Sequence, residues 1–473
     1  MSTIGLLHFK VGSTDGVSLE IDKWQRVLQE MGHTVHLCGG DLGALDGFLI
    51  PELYHQRPDA RRLNANTFTA LQDYDEAAYR AELYGLADTI AAQLRRFVAE
   101  KGIDLLMPHN IFSVGVNPAA APALAQVIRE QRIPTFAHNH DFYWERVAGV
   151  ALTCGTAVAL ADKFLPPRDP LIRHGVINSL AQSELRARKG IDAVVIPNVF
   201  DFAAPPAAED DYNHDFRAAI GLRAADVFIL QATRIVPRKG IELAIDFVHA
   251  LNQPARRARL AAAGLGNGRL FTPDSRIVLV LAGYAEDDTT GQYVPKLQAK
   301  ADQLGVDLLF IDDKIGSRRA ISANGQKIYS LWDSYVYADF VTYPSLWEGW
   351  GNQLLETLVM RRPFMLFEYP VYTADIKPVG LQAVSLGDKL TGHDANGLAQ
   401  VNPTLIAQAA DQAIDLLTNP AKRETAVSHN YRLGQQHYSL NALRAYLERE
   451  LEPEREALSS SSSRSSSSQP SHG

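Results

Sequence analysis

Tyr343-Pro344-Ser345-Leu346-Trp347-Glu348-Gly349-Trp350-Gly351-Asn352-Gln353-Leu354-Leu355-Glu356 decides how this chain is read. An extended run from Phe340 to Pro344 feeds a turn with two glycines, and a helix-forming run follows. Glycines at a strand-to-helix turn let the backbone approach a ligand closely, and a helix start offers N–H groups and a positive dipole end to an anion. Glu348 and Glu356 stand on either side of the turn with seven residues between them. Ionised carboxylates only accept hydrogen bonds, and sugar hydroxyls donate them. The stretch predicts a pocket for something both phosphorylated and hydroxylated, which a nucleotide sugar satisfies.

Working outward, short apolar runs alternate with longer amphipathic ones. Strands are predicted at Ile4–Lys10, Thr34–Cys38, Leu105–Pro108, Thr135–His138, Gly175–Ser179 and Val194–Pro197, with helices at Ser18–Met31, Tyr79–Glu100 and Ala121–Glu130. This alternation predicts a parallel sheet covered on both faces. The Ala/Pro-rich and acidic stretch 201–225 reads as a linker. The pattern then restarts: strands Val227–Thr233, Ile277–Ala282, Leu308–Ile311 and Phe364–Phe367, and helices Ile241–Leu251, Val294–Leu304 and Ile328–Tyr337. The predicted fold is α/β: two doubly wound, Rossmann-like domains, 1–200 and 226–435, facing each other across a cleft that takes ligand at the strands' C-terminal ends. Residues 436–458 form a further helix, and the Ser-rich tail 459–473 is expected to be disordered.

At 473 residues the chain exceeds one ordinary core, in keeping with two domains. A net charge of −8 argues against a nucleic-acid partner. Cys38 and Cys154 are too few for a disulfide framework, which suits a cytoplasmic location. The most apolar longer window, Val147 to Ala161, is too short to span a bilayer and reads as a buried helix, so no integral membrane segment is expected.

A second signal is Arg234-Ile235-Val236-Pro237-Arg238-Lys239-Gly240, directly after the strand that opens the second half. Arg234 and Lys239, five positions apart, can reach one diphosphate: Lys as a compact charge, Arg as a fork of donors. Alone, this reads more readily as a solvated basic loop. Combined with Pro-Ser-x-x-Glu-Gly-x-Gly-x4-Glu, it resembles the nucleotide-sugar half of retaining GT-B glycosyltransferases, most closely glycosyltransferase family 4. Gly32-His33-Thr34-Val35, Ala181-Gln182-Ser183-Glu184 and Ile196-Pro197-Asn198-Val199-Phe200-Asp201 extend the resemblance from Ile4 to about Tyr438.

The resemblance implies a hexosyltransferase that uses a nucleotide-diphosphate sugar (GDP-mannose or UDP-glucose type) as co-substrate, with no other cofactor and no metal, and a hydroxyl acceptor. Arg234 and Lys239 would hold the donor diphosphate. Glu348 would contact sugar hydroxyls, with Gly349, Trp350, Gly351 and Asn352 around the donor, and Glu356 would accept from the ribose. Otherwise Glu356 is an ordinary first-turn helix carboxylate.

Ala137-His138-Asn139-His140-Asp141 ends a predicted strand, and the family's His-Asp pair against the donor sugar maps to His140 and Asp141. His138 is the alternative sugar-facing histidine. His-x-His after a strand is also a metal pattern, but the fuller His-x-His-x-Asp-His is not met. The first loop, Phe9 to Glu20, resembles that of members acting on small soluble acceptors, such as compatible-solute synthases. It places Gly16 by the donor and Lys10 and Asp15 by the acceptor; turn residues with Ser18 as a helix cap are the plain alternative.

Asp73-Tyr74-Asp75 lacks a preceding apolar strand, Asp287-Asp288 and Asp312-Asp313 read as loop carboxylates, and Gly264–Gly268 follows a helix, as a surface turn does. Two rivals stay open: a sugar-nucleotide epimerase of the same fold and a His-x-His metallohydrolase.

Overall fold

The computed structural model describes residues 1–12, 15–146, 149–283 and 291–451. The Ser-rich tail, Asp287-Asp288 and Ser13-Thr14 of the first loop lie outside the described residues. The chain divides into two compact units, Met1–Val199 with the chain from Leu440 onward, and Phe200–Ser439.

The first unit holds a parallel sheet of β1 (Thr3–His8), β2 (Thr34–Gly39), β3 (Phe48–Leu49), β4 (Leu105–Pro108), β5 (Thr135–Asn139), β6 (Ile172–Val176) and β7 (Ala193–Val195). Their order is β3-β2-β1-β4-β5-β6-β7, so the winding reverses between β1 and β4, where an open α/β sheet leaves a crevice at its carboxyl edge. Register matters here. Leu7 pairs with Pro108, which sets His8 level with His109, and His109 bridges in parallel to His138. Three histidines therefore share one level across three adjacent strands.

In the second unit β8 (Val227–Gln231), β9 (Ile277–Leu281) and β10 (Asp307–Phe310) lie on one side of the reversal. A small sheet of β11 (Ile315–Gly316), β12 (Ala320–Ile321) and β13 (Lys327–Ser330) follows, then β14 (Phe340–Tyr343), β15 (Phe364–Leu366) and β16 (Val384–Ser385). The main order, β10-β9-β8-β14-β15-β16, is again parallel and doubly wound. Its reversal lies between β8 and β14, the strands that deliver the two sequence signals.

Several expectations change, and strand β6 lies at Ile172–Val176, ahead of the predicted Gly175–Ser179, whose last residue opens a helix, Ser179–Lys189. Residues 328–330 are strand, and the helix is Leu331–Tyr337, because a capping box between Ser330 and Asp333 starts it there. The apolar window from Val147, whose first two residues are outside the described ones, becomes helical only at Gly155. The Ala151 and Thr153 N–H groups bond instead to the Phe68 and Thr67 carbonyls. The first helix is Gly16–Glu30, capped by Asp15 rather than Ser18. The linker region also contains a short helix, Phe216–Ala219.

Among the described residues, no helix is long and apolar enough to cross a membrane. Helical residues 440–451 present Leu440, Leu443, Leu447 and Leu451, at the spacing of one helix face, to a core that includes Ile4, Leu6, Trp24 and Phe136 of the first unit. Leu447 is fully buried there. Leu447→Ala should cost about 2–5 kcal/mol in denaturant unfolding. Leu19→Ala, at an exposed position, should change stability little.

Candidate active site

In the second unit the two signals meet through backbone before any side chain is considered. Gly240 takes a left-handed φ of 58°, and a Cβ there would collide with the Pro344 carbonyl oxygen. The Leu346 N–H donates to the Arg238 carbonyl at 2.8 Å. This contact holds the basic loop after β8 against the loop after β14. Lys239 and Glu348 then form a buried ion pair, Nζ to Oε1. Arg238 Nη1 donates to Glu348 Oε2 at 2.9 Å and to the Trp347 carbonyl at 3.2 Å, and its guanidinium lies over the Trp347 ring.

Burial pushes the Glu348 carboxyl up, but the Lys239 ammonium and the Arg238 guanidinium outweigh it and hold the group below its ordinary value. Burial lowers the Lys239 ammonium, and Glu348 opposes that. Each charge therefore supports the other's. The pair's stoichiometry leaves chemistry to spare: an ammonium has three donors and a carboxylate about four acceptor positions. Arg234 is exposed and close enough to Lys239 to bear on its charge.

The glycine turn is held from beneath. Gly351 has φ 133°, and a Cβ would collide with the Tyr369 hydroxyl and crowd that of Tyr343 at 3.1 Å. The Tyr369 hydroxyl donates to the Trp350 carbonyl at 2.6 Å. Helix Asn352–Val359 begins behind Gly351 with no side-chain cap among the described residues, and Gly349 is half-buried. Glu356 is the fifth residue of this helix, past the first turn, so the plain dipole explanation for it fails. It accepts from the Tyr335 hydroxyl at 2.9 Å.

In the first unit, His140 and His138 join His109 in a buried group. Burial pushes His138 down to about 4 and holds His109 and His140 well below the usual imidazole range. Asn110, with a positive φ of 60°, accepts from the His140 N–H at 2.7 Å and so fixes the loop that carries Asp141. Asp15 is occupied as a helix cap, accepting from the Val17 and Ser18 N–H groups at 3.1 and 3.0 Å. Gly16 is the first residue of the helix, and Lys10 is half-buried ahead of it.

The sequence reading passed over Arg238, Tyr335, Tyr343, Tyr369, His109 and Glu145. Arg238 was visible as a third cation in the quoted loop, and His109 as another histidine directly after a strand. The tyrosines carry no local signal. Glu145 accepts from the Phe142 N–H at 2.6 Å, and burial, with Asp141 and Glu184 nearby, raises its carboxyl to about 7.

Solved structures define the class. The fold is similar to that of sucrose-phosphate synthase from Thermosynechococcus elongatus, with TM-score 0.59, 14% identity, and coverage of 97% of this chain and 100% of that one. It is likewise similar to alpha,alpha-trehalose 6-phosphate synthase from Burkholderia multivorans, with TM-score 0.57, 14% identity and full coverage of both chains. At such identities the likeness is one of fold, and the fold is GT-B.

No family model matches the chain. By sequence it is 39% identical over 420 residues to mannosylglucosylglycerate synthase of Petrotoga mobilis, covering 88% of this chain and 94% of that protein. It is 37% identical over 451 residues to mannosylglucosylglycerate synthase of Thermotoga maritima, covering 95% and 100%. The chain belongs to the family of the mannosylglucosylglycerate synthases. It is an enzyme, a hexosyltransferase, with a nucleotide-sugar donor and an acceptor as its substrates.

Glu145 offers a pH test. Its folded-state pKa lies above the unfolded one, so the stability tied to its neutral form is complete below about 4.5 and is lost as pH rises through about 7. Glu145→Gln keeps the acceptor for Phe142 and cannot ionise. The variant should match wild type in thermal unfolding at pH 4 and exceed it at pH 8; equal melting at both would refute the raised carboxyl.

Proposed function

We propose that the protein is a retaining glycosyltransferase of family 4 that transfers a mannosyl group from a GDP-mannose-type donor to a hydroxyl of glucosylglycerate. The observation that carries this reading is the buried Lys239–Glu348 pair, joined by Arg238, directly ahead of the glycine turn and its helix. The donor belongs to the second unit. Arg234 and the remaining donors of Lys239 take the diphosphate and stabilise the charge that grows as the sugar–phosphate bond breaks. With the cations supplying that countercharge, the diphosphate needs no metal. The lone pairs Glu348 keeps accept from sugar hydroxyls, and Glu356, half-buried and oriented by the Tyr335 hydroxyl, accepts from the ribose with its remaining lone pairs.

Both oxygens of Glu348 are engaged by cations, which leaves it a poor nucleophile and supports front-face substitution. In that reaction the bond from the sugar carbon to the phosphate oxygen breaks, and the acceptor oxygen bonds to the same face. The acceptor's proton passes to the departing phosphate oxygen.

The names of the two relatives support the choice of mannosyl over glucosyl and of a small acceptor bearing a carboxylate. An anionic acceptor favours Lys10 over Asp15, whose carboxylate is already used as a cap. His140 and Asp141 are proposed on the sugar side of the first unit. Membership in a synthase family removes the grounds for the epimerase and metallohydrolase alternatives.

Lys239→Ala should lower kcat on the order of 10²-fold or more, about 3 kcal/mol of lost transition-state stabilisation. Near-normal turnover would sink the assignment. Glu356→Ala should weaken nucleotide binding with a smaller effect on kcat, and unchanged affinity would remove the ribose role. Thermal unfolding with GDP, UDP and ADP tests the donor. GDP at 100 times its Kd should add about 2.7 kcal/mol, a shift of several degrees, unaffected by EDTA. Stabilisation by UDP alone would move the donor to the uridine series.

A further inference from the structure

The first unit contains a histidine cluster of which the proposed transfer engages only His140. One ring nitrogen from each of His109, His138 and His140 lies within 4.8 Å of the other two, and all three residues are buried. The register of β4 and β5 sets His109, just past β4, level with His138 inside β5, and His140 follows directly after that strand. We propose that His109, His138 and His140 bind a divalent transition-metal ion, zinc in the first instance, which ties the carboxyl ends of β4 and β5 together.

The hydrogen bonds orient the rings for this. His138 Nε2 sits 3.1 Å from the Ile196 carbonyl, which only accepts, so Nε2 carries the proton and Nδ1 the lone pair. His138 Nδ1 is buried without a partner. A lone pair aimed into the protein while the other nitrogen donates to a carbonyl is the arrangement that fixes a metal-binding histidine. His109 Nδ1 and His140 Nε2 share a hydrogen bond at 3.2 Å, which the ion would replace, with His109 then carrying its proton on Nε2. Two ligands of a tetrahedral ion at about 2.1 Å stand about 3.4 Å from each other, so this pair already has the spacing.

Trp24 packs edge-on to His109 and tilted against His138, at 4.9 and 4.6 Å between ring centres, and forms a dry wall beside the site. His8 is a fourth imidazole beside the group; its Nδ1 donates to the His109 carbonyl at 2.8 Å, leaving Nε2 as its lone pair. Nitrogen-only ligation suits zinc, cobalt or nickel over magnesium or calcium. His140 bound through Nε2 keeps its proton on Nδ1, so the ion would also fix that ring's tautomer.

The test uses the full chain, expressed without a histidine tag, loaded with Co²⁺ and then dialysed. The expected result is about one cobalt per chain with the intense visible absorption of a tetrahedral centre. It should be replaced by zinc on competition and lost in His140→Gln. Chelation should lower the melting temperature of wild type by several degrees and leave the GDP-induced shift intact, which separates this site from the donor site. Cobalt content below about a tenth of an equivalent, or bound cobalt with octahedral absorption only, would overturn the proposal. Full tetrahedral absorption in folded His140→Gln would do the same. Should that variant fail to fold, the wild-type spectrum and stoichiometry decide alone.

Discussion

Everything in the second unit's site depends on one close approach, Gly240 against the Pro344 carbonyl. Only a residue without Cβ, in a left-handed conformation, allows the basic loop to reach the Pro-Ser loop. The Leu346–Arg238 backbone bond then fixes the spacing. Lys239 and Glu348, distant in sequence, become an ion pair because their backbones are held there first. Removing one charge from such a pair leaves the other buried and uncompensated, so the two charges are needed together. Charges set by backbone contacts are in place before any charge develops on a ligand.

A second constraint works beneath the glycine turn. Tyr343 ends β14 and Tyr369 follows β15, and their hydroxyls fill the space a side chain at Gly351 would need. The start of helix Asn352–Val359 is thereby set by the sheet and not by a cap of its own. The first unit follows a related logic with different chemistry. Adjacent parallel strands in fixed register place histidines side by side, and neutral rings can be buried there where charged ones could not.

Much of this was legible. The alternation of apolar and amphipathic runs fixed both sheets, with strands Leu105–Pro108 and helix Ile241–Leu251 matching their predicted bounds. The Glu348–Glu356 spacing and the Arg234–Lys239 loop picked out the two loops that the structure brings together, because turn chemistry is local. Where reading failed, long-range contacts had won. Residues 328–330 became strand because Asp333 caps the helix at Ser330, and Ala151 and Thr153 gave their N–H groups to the end of another helix. Arg238 was quoted but given no role, since which of three neighbouring cations faces a carboxylate depends on a partner about a hundred residues away.

The sequence by itself determined the class of fold, the order of its main elements, and the residue types and loops of the candidate site, because periodicity and turn preference act over a few residues. The tertiary structure decided which of those residues touch. It paired Glu348 with two cations, spent Asp15 on a helix cap, set Glu356 against Tyr335, and gathered His109 with His138 and His140. Those choices follow from strand register and backbone approach, which are properties of neighbours in space that no local stretch of sequence contains.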